Sequence, residues 1–337
     1  MKVLVVSDLS EFAVCQSFIR ALRAEGHSVH TMDVGAQVAK HVRFGSIGLK
    51  AHHYLGVESW LRKANRDLSV LGLSLKPDLV LVFGNAPVQF GTLALWSSVL
   101  PAKKILFWPD TLANLEQAQL NAAPLYDAVA SYSRAAIPVF QKLGFKDALW
   151  TPFAGDNEWL GPPKSVEGFD YDFTFVGGWR PERERAVALV LHRFPNLRVH
   201  VRGYGWDRCT NERIRGLLGK GNATGRAFGD ILRASAVNLN VIDDTNYPAA
   251  NMRFFEILAV GGLQLSSACP EQEGEFIDRE HLLYFRDDDE LAEGVRLGLE
   301  SPEIATRIRQ AGHAKLMSAH QYSHRITSLM DYCRDSR

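Results

Sequence analysis

In the segment NMRFFEILAVGGLQLSS (Asn251–Ser267), Arg253 and Glu256 stand three residues apart, while Ile257, Leu258 and Val260 form an apolar face. Such spacing puts the charged pair on one side of a helix. A helix starting near Asn251 offers free backbone N–H groups and a positive dipole end to a phosphate. A carboxylate two turns in can accept hydrogen bonds from the vicinal hydroxyls of a ribose. The ordinary alternative is a surface Arg–Glu pair on an amphipathic helix, and spacing alone leaves both open. In FVGGWRPERER (Phe175–Arg185) a strand ends in Gly177 and Gly178, Arg180 follows, and Pro181 suits a first helical turn. Backbone donors beside a fixed guanidinium are what a diphosphate needs. A tight turn with solvated arginines is the alternative, and Arg183 and Arg185 read as part of a solvated helix face. In VRGYGW (Val201–Trp206), Gly203 and Gly205 leave room at another strand end. There Tyr204 or Trp206 either stacks on a nucleobase or packs in the core.

Other polar groups are less telling. Asp8 and Asp110 each follow a strand and could act as a base or an acceptor contact, with an Asp closing a turn as the rival reading. Asp243-Asp244 imitates a metal-binding pair, but strand ends often carry Asp for turn reasons. Asp287-Asp288-Asp289 reads as a helix cap. His52-His53 lacks a metal spacing and reads as surface. Cys15, Cys209, Cys269 and Cys333 lie far apart with no C-x-x-C, which suggests neither a disulfide framework nor a zinc site.

The elements that position these residues alternate. Strands are expected at Lys2–Ser7, Ser28–Asp33, Asp78–Phe83, Lys104–Trp108, Ala128–Tyr132 and Ala148–Thr151. Helices are expected between them, among them Glu11–Glu25, Val57–Leu71, Leu112–Gln119 and one capped by Ser133 and ending at Gly144. Gly- and Pro-rich residues 156–169 read as a linker. Alternation then resumes through Phe173–Val176, Leu197–Val201, Val237–Ile242, Leu263–Ser267 and Leu282–Phe285, with helices at Glu182–His192, Arg208–Leu218, Asp230–Ala234 and Met252–Val260 and three more toward the end. Strands separated by helices imply right-handed crossovers and parallel sheets. The expected fold class is α/β, with two doubly wound Rossmann-like domains facing across a cleft: residues 1–155 on the acceptor side and 170–320 binding the nucleotide. A C-terminal helix over 321–337 is expected to cross back to the first domain. The first strand is followed by Ser7-Asp8-Leu9-Ser10, not G-x-G-x-x-G, which argues against a dinucleotide in that turn.

Composition fits this reading. The 337 residues are 46% hydrophobic and 23% charged, with a formal net charge of +0. That balance gives no reason to expect a nucleic-acid partner. No apolar run approaches the ~20 residues that span a bilayer, and Asp8 and Glu11 interrupt the first apolar stretch too soon for a signal peptide. A cytosolic chain is the expectation.

FVGGWRPERER, VRGYGW, VNLNV and NMRFFEILAVGG occur in the order seen in the C-terminal domain of CgeB-like glycosyltransferases, relatives of the group 1 retaining enzymes of GT-B fold. The chain resembles them from about Phe173 to Ser323; in the first half only the alternation and FWPDTLANL are similar. The resemblance implies a nucleotide-diphosphate-sugar donor, an acceptor of unknown kind, no metal and no other cofactor. It implies that Glu256 is the second glutamate of a Glu-x7-Glu motif and holds the donor ribose, and that Gly177, Gly178 and Arg180 form the diphosphate loop. Asn251, Arg253, Gly203 and Tyr204 complete the expected donor site. The first glutamate of that motif would fall where this chain has Pro248, so the sugar must be held differently. A sugar-nucleotide epimerase and a catalytically silent nucleotide-sugar binder are the competing readings.

Overall fold

The computed structural model describes residues 1–55, 57–163 and 168–335. The side chains of His52 and His53 lie outside the described residues, as does part of the expected linker. Contacts divide the chain into two compact units, Met1–Pro152 with Arg325–Arg337, and Phe153–His324.

The first unit holds strands β1 (Lys2–Val6), β2 (Ser28–Met32), β3 (Leu79–Phe83), β4 (Lys103–Trp108), β5 (Ala128–Ser131) and β6 (Ala148–Trp150), all paired in parallel in the order β2-β1-β3-β4-β5-β6. Every residue of β3 (LVLVF) is buried, because helices cover both faces of a parallel sheet and no face is left for polar alternation. The helices are α1 (Cys15–Ala24), α2 (Val34–His41), α3 (Gly45–Leu55), α4 (Glu58–Leu75), α5 (Phe90–Val99), α6 (Gln117–Ala122) and α7 (Ile137–Lys142). Sequence order reverses between β1 and β3, so the loops after those strands flank the switch point of this sheet.

The second unit contains α8 (Asn157–Leu160), β7 (Tyr171–Val176), α9 (Pro181–Arg193), β8 (Val199–Arg202), α10 (Glu212–Gly216), α11 (Gly225–Arg233), β9 (Ser235–Asn240), α12 (Met252–Ala259), β10 (Gln264–Ser267), β11 (Leu283–Phe285), α13 (Asp288–Glu300) and α14 (Pro302–Ala319). Its parallel sheet runs β11-β10-β9-β7-β8. Here the switch point lies between β7 and β9. The last helix, α15 (Tyr322–Asp335), starts in this unit; from Arg325 onward it belongs to the first. Arg325 Nε donates to the Pro152 carbonyl at 3.0 Å and the Tyr332 hydroxyl to the Asp127 carbonyl at 3.1 Å, which fixes that helix to the first unit.

Several helices differ from their expected extents, for local reasons. The one expected from Glu11 starts at Cys15, because Ser10–Ala13 close a turn and the apolar face of Phe18, Ile19 and Leu22 begins only there. The helix expected over Leu112–Gln119 splits into a 3₁₀ turn, Leu112–Asn114, and α6, since the Asn114 amide reaches back to Asp110 at 2.7 Å. Ser133 precedes a 3₁₀ turn without a side-chain capping bond. The helix expected over Arg208–Leu218 shrinks to α10, and Leu218 instead bridges to Val201 beside β8. The expected linker contains α8, capped by Asp156.

Candidate functional site

Three loops meet at the carboxyl end of the second unit's sheet: Gly177–Arg180 after β7, Gly203–Trp206 after β8 and Asp243–Asn251 after β9. The first two interlock through their backbones. The Gly177 amide donates to the Arg202 carbonyl at 2.8 Å, the Trp179 amide to the Tyr204 carbonyl at 2.9 Å and the Trp206 indole to the Gly177 carbonyl at 2.9 Å. The approach leaves no room for side chains. A Cβ on Gly203, whose φ is +150°, would stand 1.9 Å from the Gly177 carbonyl oxygen, and one on Gly178 would stand 2.6 Å from the Tyr204 ring. Tyr204 is 71% exposed over Gly178, whereas Trp206 is buried edge-on against Phe175. Trp206 is thereby assigned to the core.

A buried carboxylate fastens this corner. Glu184, in the first turns of α9, accepts from the Trp179 indole at 2.6 Å, the Thr210 hydroxyl at 2.7 Å and amide at 2.8 Å, and the Asn211 amide at 3.0 Å. Burial alone would raise its pKa, but these donors outweigh it and hold the carboxyl at about 2.

Arg180 stands at the N-cap position of α9, half-exposed, with Nε 3.6 Å from Asp243. Arg183, expected on a solvated face, instead turns inward: Nη1 donates to the Gly178 carbonyl at 2.8 Å and Nη2 to Asp243 at 3.0 Å, while Nε is buried without a partner. The helical turn that starts at Pro181 carries its side chain under the glycine loop, and a buried acid, Asp243, draws it there. Asp243 also accepts from the Thr245 hydroxyl at 2.6 Å, so it serves as an anchor for arginines.

On α12, Arg253 Nε donates to the Val176 carbonyl at 2.8 Å, tying this helix to the end of β7. Its Nη1 lies 2.5 Å from Glu256, and its guanidinium packs 3.9 Å over the Phe228 ring. The expected Arg–Glu pair therefore exists, but it is mostly buried and borders the switch point. Asn251 caps α12 by accepting from the Phe254 amide at 3.1 Å, and its amide group donates to Asn240 at 3.0 Å. Its side chain is thus committed to holding the helix start. Burial pushes the pKa of both Arg183 and Arg253 down, against the nearby carboxylates that raise it. Three guanidinium groups (Arg180, Arg183, Arg253) stand at this corner with the carboxylates of Asp243, Glu256 and Glu184, the last tied up by neutral donors, and the first turns of α9 and α12 add their dipoles. The helix starts and the guanidinium groups aimed at the glycine loop suit an anion there.

In the first unit, Asp8 follows β1 and accepts from the Ser10 amide at 2.8 Å. Asp110 follows β4 and accepts from the Thr111 amide and the Asn114 side chain, each at 2.7 Å. Both are exposed, and both close local turns. Asp287 caps α13 through the amides of Asp289 and Glu290. The four cysteines are buried and form no disulfide. Among the described residues, no group of three or more His, Cys, Asp or Glu side chains is placed to hold a metal ion, and no helix is long and apolar enough to cross a membrane.

Two Rossmann-like α/β domains in one chain, the second with its polar corner at the sheet's switch point, define the GT-B fold. Solved structures show the same fold along the whole chain. A glycosyltransferase from Rickettsia africae superposes with a TM-score of 0.72 at 10% identity, covering 99% of this chain and 98% of its own. Sucrose-phosphate synthase from Thermosynechococcus elongatus gives 0.67 at 12% identity, with 99% of each chain covered. HepE from Anabaena, solved in complex with UDP, gives 0.64 at 10%, covering 99% of this chain and 100% of its own. Residues 182–331 match the family described as glycosyl transferase-like. No curated protein sequence matches the chain.

Proposed function

We propose that this protein is a glycosyltransferase that takes its sugar from a nucleoside-diphosphate donor bound by the second unit. One observation carries the reading: two guanidinium groups, Arg183 and Arg253, are largely buried at the switch point and held against the glycine loop by carbonyls at the end of β7 and just after it. Arg180, Arg183 and the Gly177-Gly178 loop hold the diphosphate, Tyr204 offers a stacking face, and Glu256 receives the ribose hydroxyls. The match of residues 182–331 and the UDP bound to HepE support the same assignment. The order of FVGGWRPERER, VRGYGW and NMRFFEILAVGG supports kinship with the CgeB-like branch.

In the reaction the bond between the anomeric carbon and the diphosphate oxygen breaks and the acceptor oxygen bonds to that carbon. Negative charge grows on the leaving diphosphate, and fixed guanidinium groups stabilise it without reorganising. The reading is of a retaining, metal-independent enzyme, in which the leaving phosphate accepts the acceptor's proton. Acceptor recognition is assigned to the first unit, where Asp8 and Asp110 are the strand-end carboxylates.

The test is calorimetric titration with UDP, GDP, ADP and dTDP and with the matching nucleosides, followed by product detection with the corresponding sugars. At least tenfold preference for one diphosphate over its nucleoside, with transfer or hydrolysis of its sugar, is expected. Absence of any diphosphate binding would sink the proposal. Pro248 at the position of the first motif glutamate favours a second reading, a silent nucleotide-sugar binder, which predicts the binding without turnover.

A further inference from the structure

At the other end of the same sheet, where its strands begin, Arg233, Arg309, His313, Phe169 and Gly261 line a cavity of about 390 Å³. That size falls within the range of small-molecule sites. It stands roughly 20 Å from the glycine loop, the length of β9. Two of these side chains, Arg233 and His313, have evident structural duties. Arg233 Nη1 donates to the carbonyls of Leu160, Gly161 and Pro162, its Nη2 pairs with Asp230, and a ring nitrogen of His313 meets the Leu258 carbonyl at 3.0 Å. Those contacts satisfy the last carbonyls of α8 and α12.

Arg309 has no such account. Projecting from α14, it stacks 4.5 Å over the Phe169 ring and, among the described residues, makes a single hydrogen bond, to the Ala236 carbonyl. Its Nε is buried without a partner, as is the Nε of the almost wholly buried Arg233. Among the described residues, no carboxylate lines the cavity. Burial pushes the Arg309 pKa down to about 10, the mark of a charge taken from water without a counter-charge. Stacking on an aromatic ring fixes the plane of a guanidinium and leaves its edge free for the forked hydrogen bonds that oxyanions accept. The Thr306 hydroxyl and Gln310 amide on the same wall extend the set of donors.

We infer that this cavity is a second anion site, which takes inorganic phosphate or a small phosphomonoester on Arg309. It is distinct from the strand-end corner and does not depend on the glycosyl-transfer reading. Its occupancy ties α14 to the starts of β9 and β10.

The experiment measures saturable binding of inorganic phosphate, and then of glycerol phosphate, to the full chain by calorimetry, with chloride at matched ionic strength as the blank. Arg309→Gln is expected to weaken phosphate binding at least tenfold and to leave UDP affinity within twofold. Arg183→Gln is expected to do the reverse. Thr306→Glu, an exposed rim substitution that spares Arg309, is expected to abolish phosphate binding with the thermal midpoint kept, so misfolding of one variant cannot mask the result. Phosphate binding that follows Arg183 instead of Arg309, or that is absent or unsaturable in the wild type, overturns the inference. Tighter binding of glycerol phosphate than of phosphate assigns the site to organic phosphomonoesters, and equal binding assigns it to the free ion.

Discussion

Arg183 and Arg180 carry unequal shares of the proposed diphosphate contact. Arg183 is held by two acceptors beneath the glycine loop, while Arg180 is half in solvent and 3.6 Å from its nearest carboxylate. Arg183→Ala is therefore expected to reduce the preference for a nucleoside diphosphate over its nucleoside by tenfold or more, and Arg180→Ala by less; Arg183→Lys rescues poorly because a point charge cannot keep both contacts. Calorimetry on the paired ligands checks it, and an equal loss for nucleoside and diphosphate would move both arginines away from the phosphates. Glu256 is different in kind, because its removal also strips the partner of a buried arginine. Glu256→Ala is expected to cost ~1.5–3 kcal/mol in nucleotide binding and, unlike a substitution at a solvated pair, to lower the thermal midpoint as well. Unchanged nucleotide affinity would return Glu256 to a purely structural role. The sequence makes Arg253 and Glu256 conspicuous through their spacing. It hides Arg183 because a helix-face position says nothing of an acid sixty residues away that draws the side chain inward.

At the level of elements, α9 joins two loops through Glu184. Its folded carboxyl, at about 2, lies below the ordinary 4.5, so the stabilisation it provides is complete above pH 4.5 and is lost as pH falls toward 2. The shift corresponds to on the order of 3 kcal/mol. Glu184→Gln is expected to be less stable at pH 7 and to show a flatter decline of stability between pH 4.5 and 2, with weaker nucleotide binding because Trp179 and the glycine loop lose their anchor. Denaturant titrations across that pH range test it; parallel curves for the two proteins would show that Glu184 does not differ between folded and unfolded states. Several elements are legible from residue types alone: β1 and β3 announce themselves by unbroken apolar runs, α9 by Pro at its first turn and α12 by its Asn cap. The stretch from Arg208 to Leu218 is not, since a helical period competes there with pairing to β8, and only the tertiary neighbour decides between them. The turn at Leu112–Asn114 escapes for a similar reason, because Asp110 and Asn114 outbid the helix locally.

For the whole molecule, the proposed chemistry draws its positive field from arginines and helix starts. Turnover is accordingly expected to survive chelation, measured as sugar transfer or donor hydrolysis in EDTA. Abolition by EDTA with recovery in manganese or magnesium would redirect attention to Asp243 and Asp244. On the same reading neither Asp8→Asn nor Asp110→Asn abolishes turnover, since each carboxylate closes a turn and a retaining reaction needs no dedicated base; a loss of ~10⁴-fold at unchanged donor affinity would argue for an inverting enzyme.

The five-stranded sheet ends at β8, whose outer side, among the described residues, meets the isolated bridge between Val201 and Leu218 and no further strand. Arg202, the last residue of that strand, gathers the carbonyls of Lys220, Gly221 and Asn222 at 3.4 Å or less and so clamps a glycine-rich coil along the open side. An uncovered strand edge is a template on which another chain can pair. The clamp is thus a safeguard of solubility: Arg202→Ala is expected to raise light scattering on mild heating well before the fold is lost, and scattering identical to the wild type would show that the coil shields the edge without it.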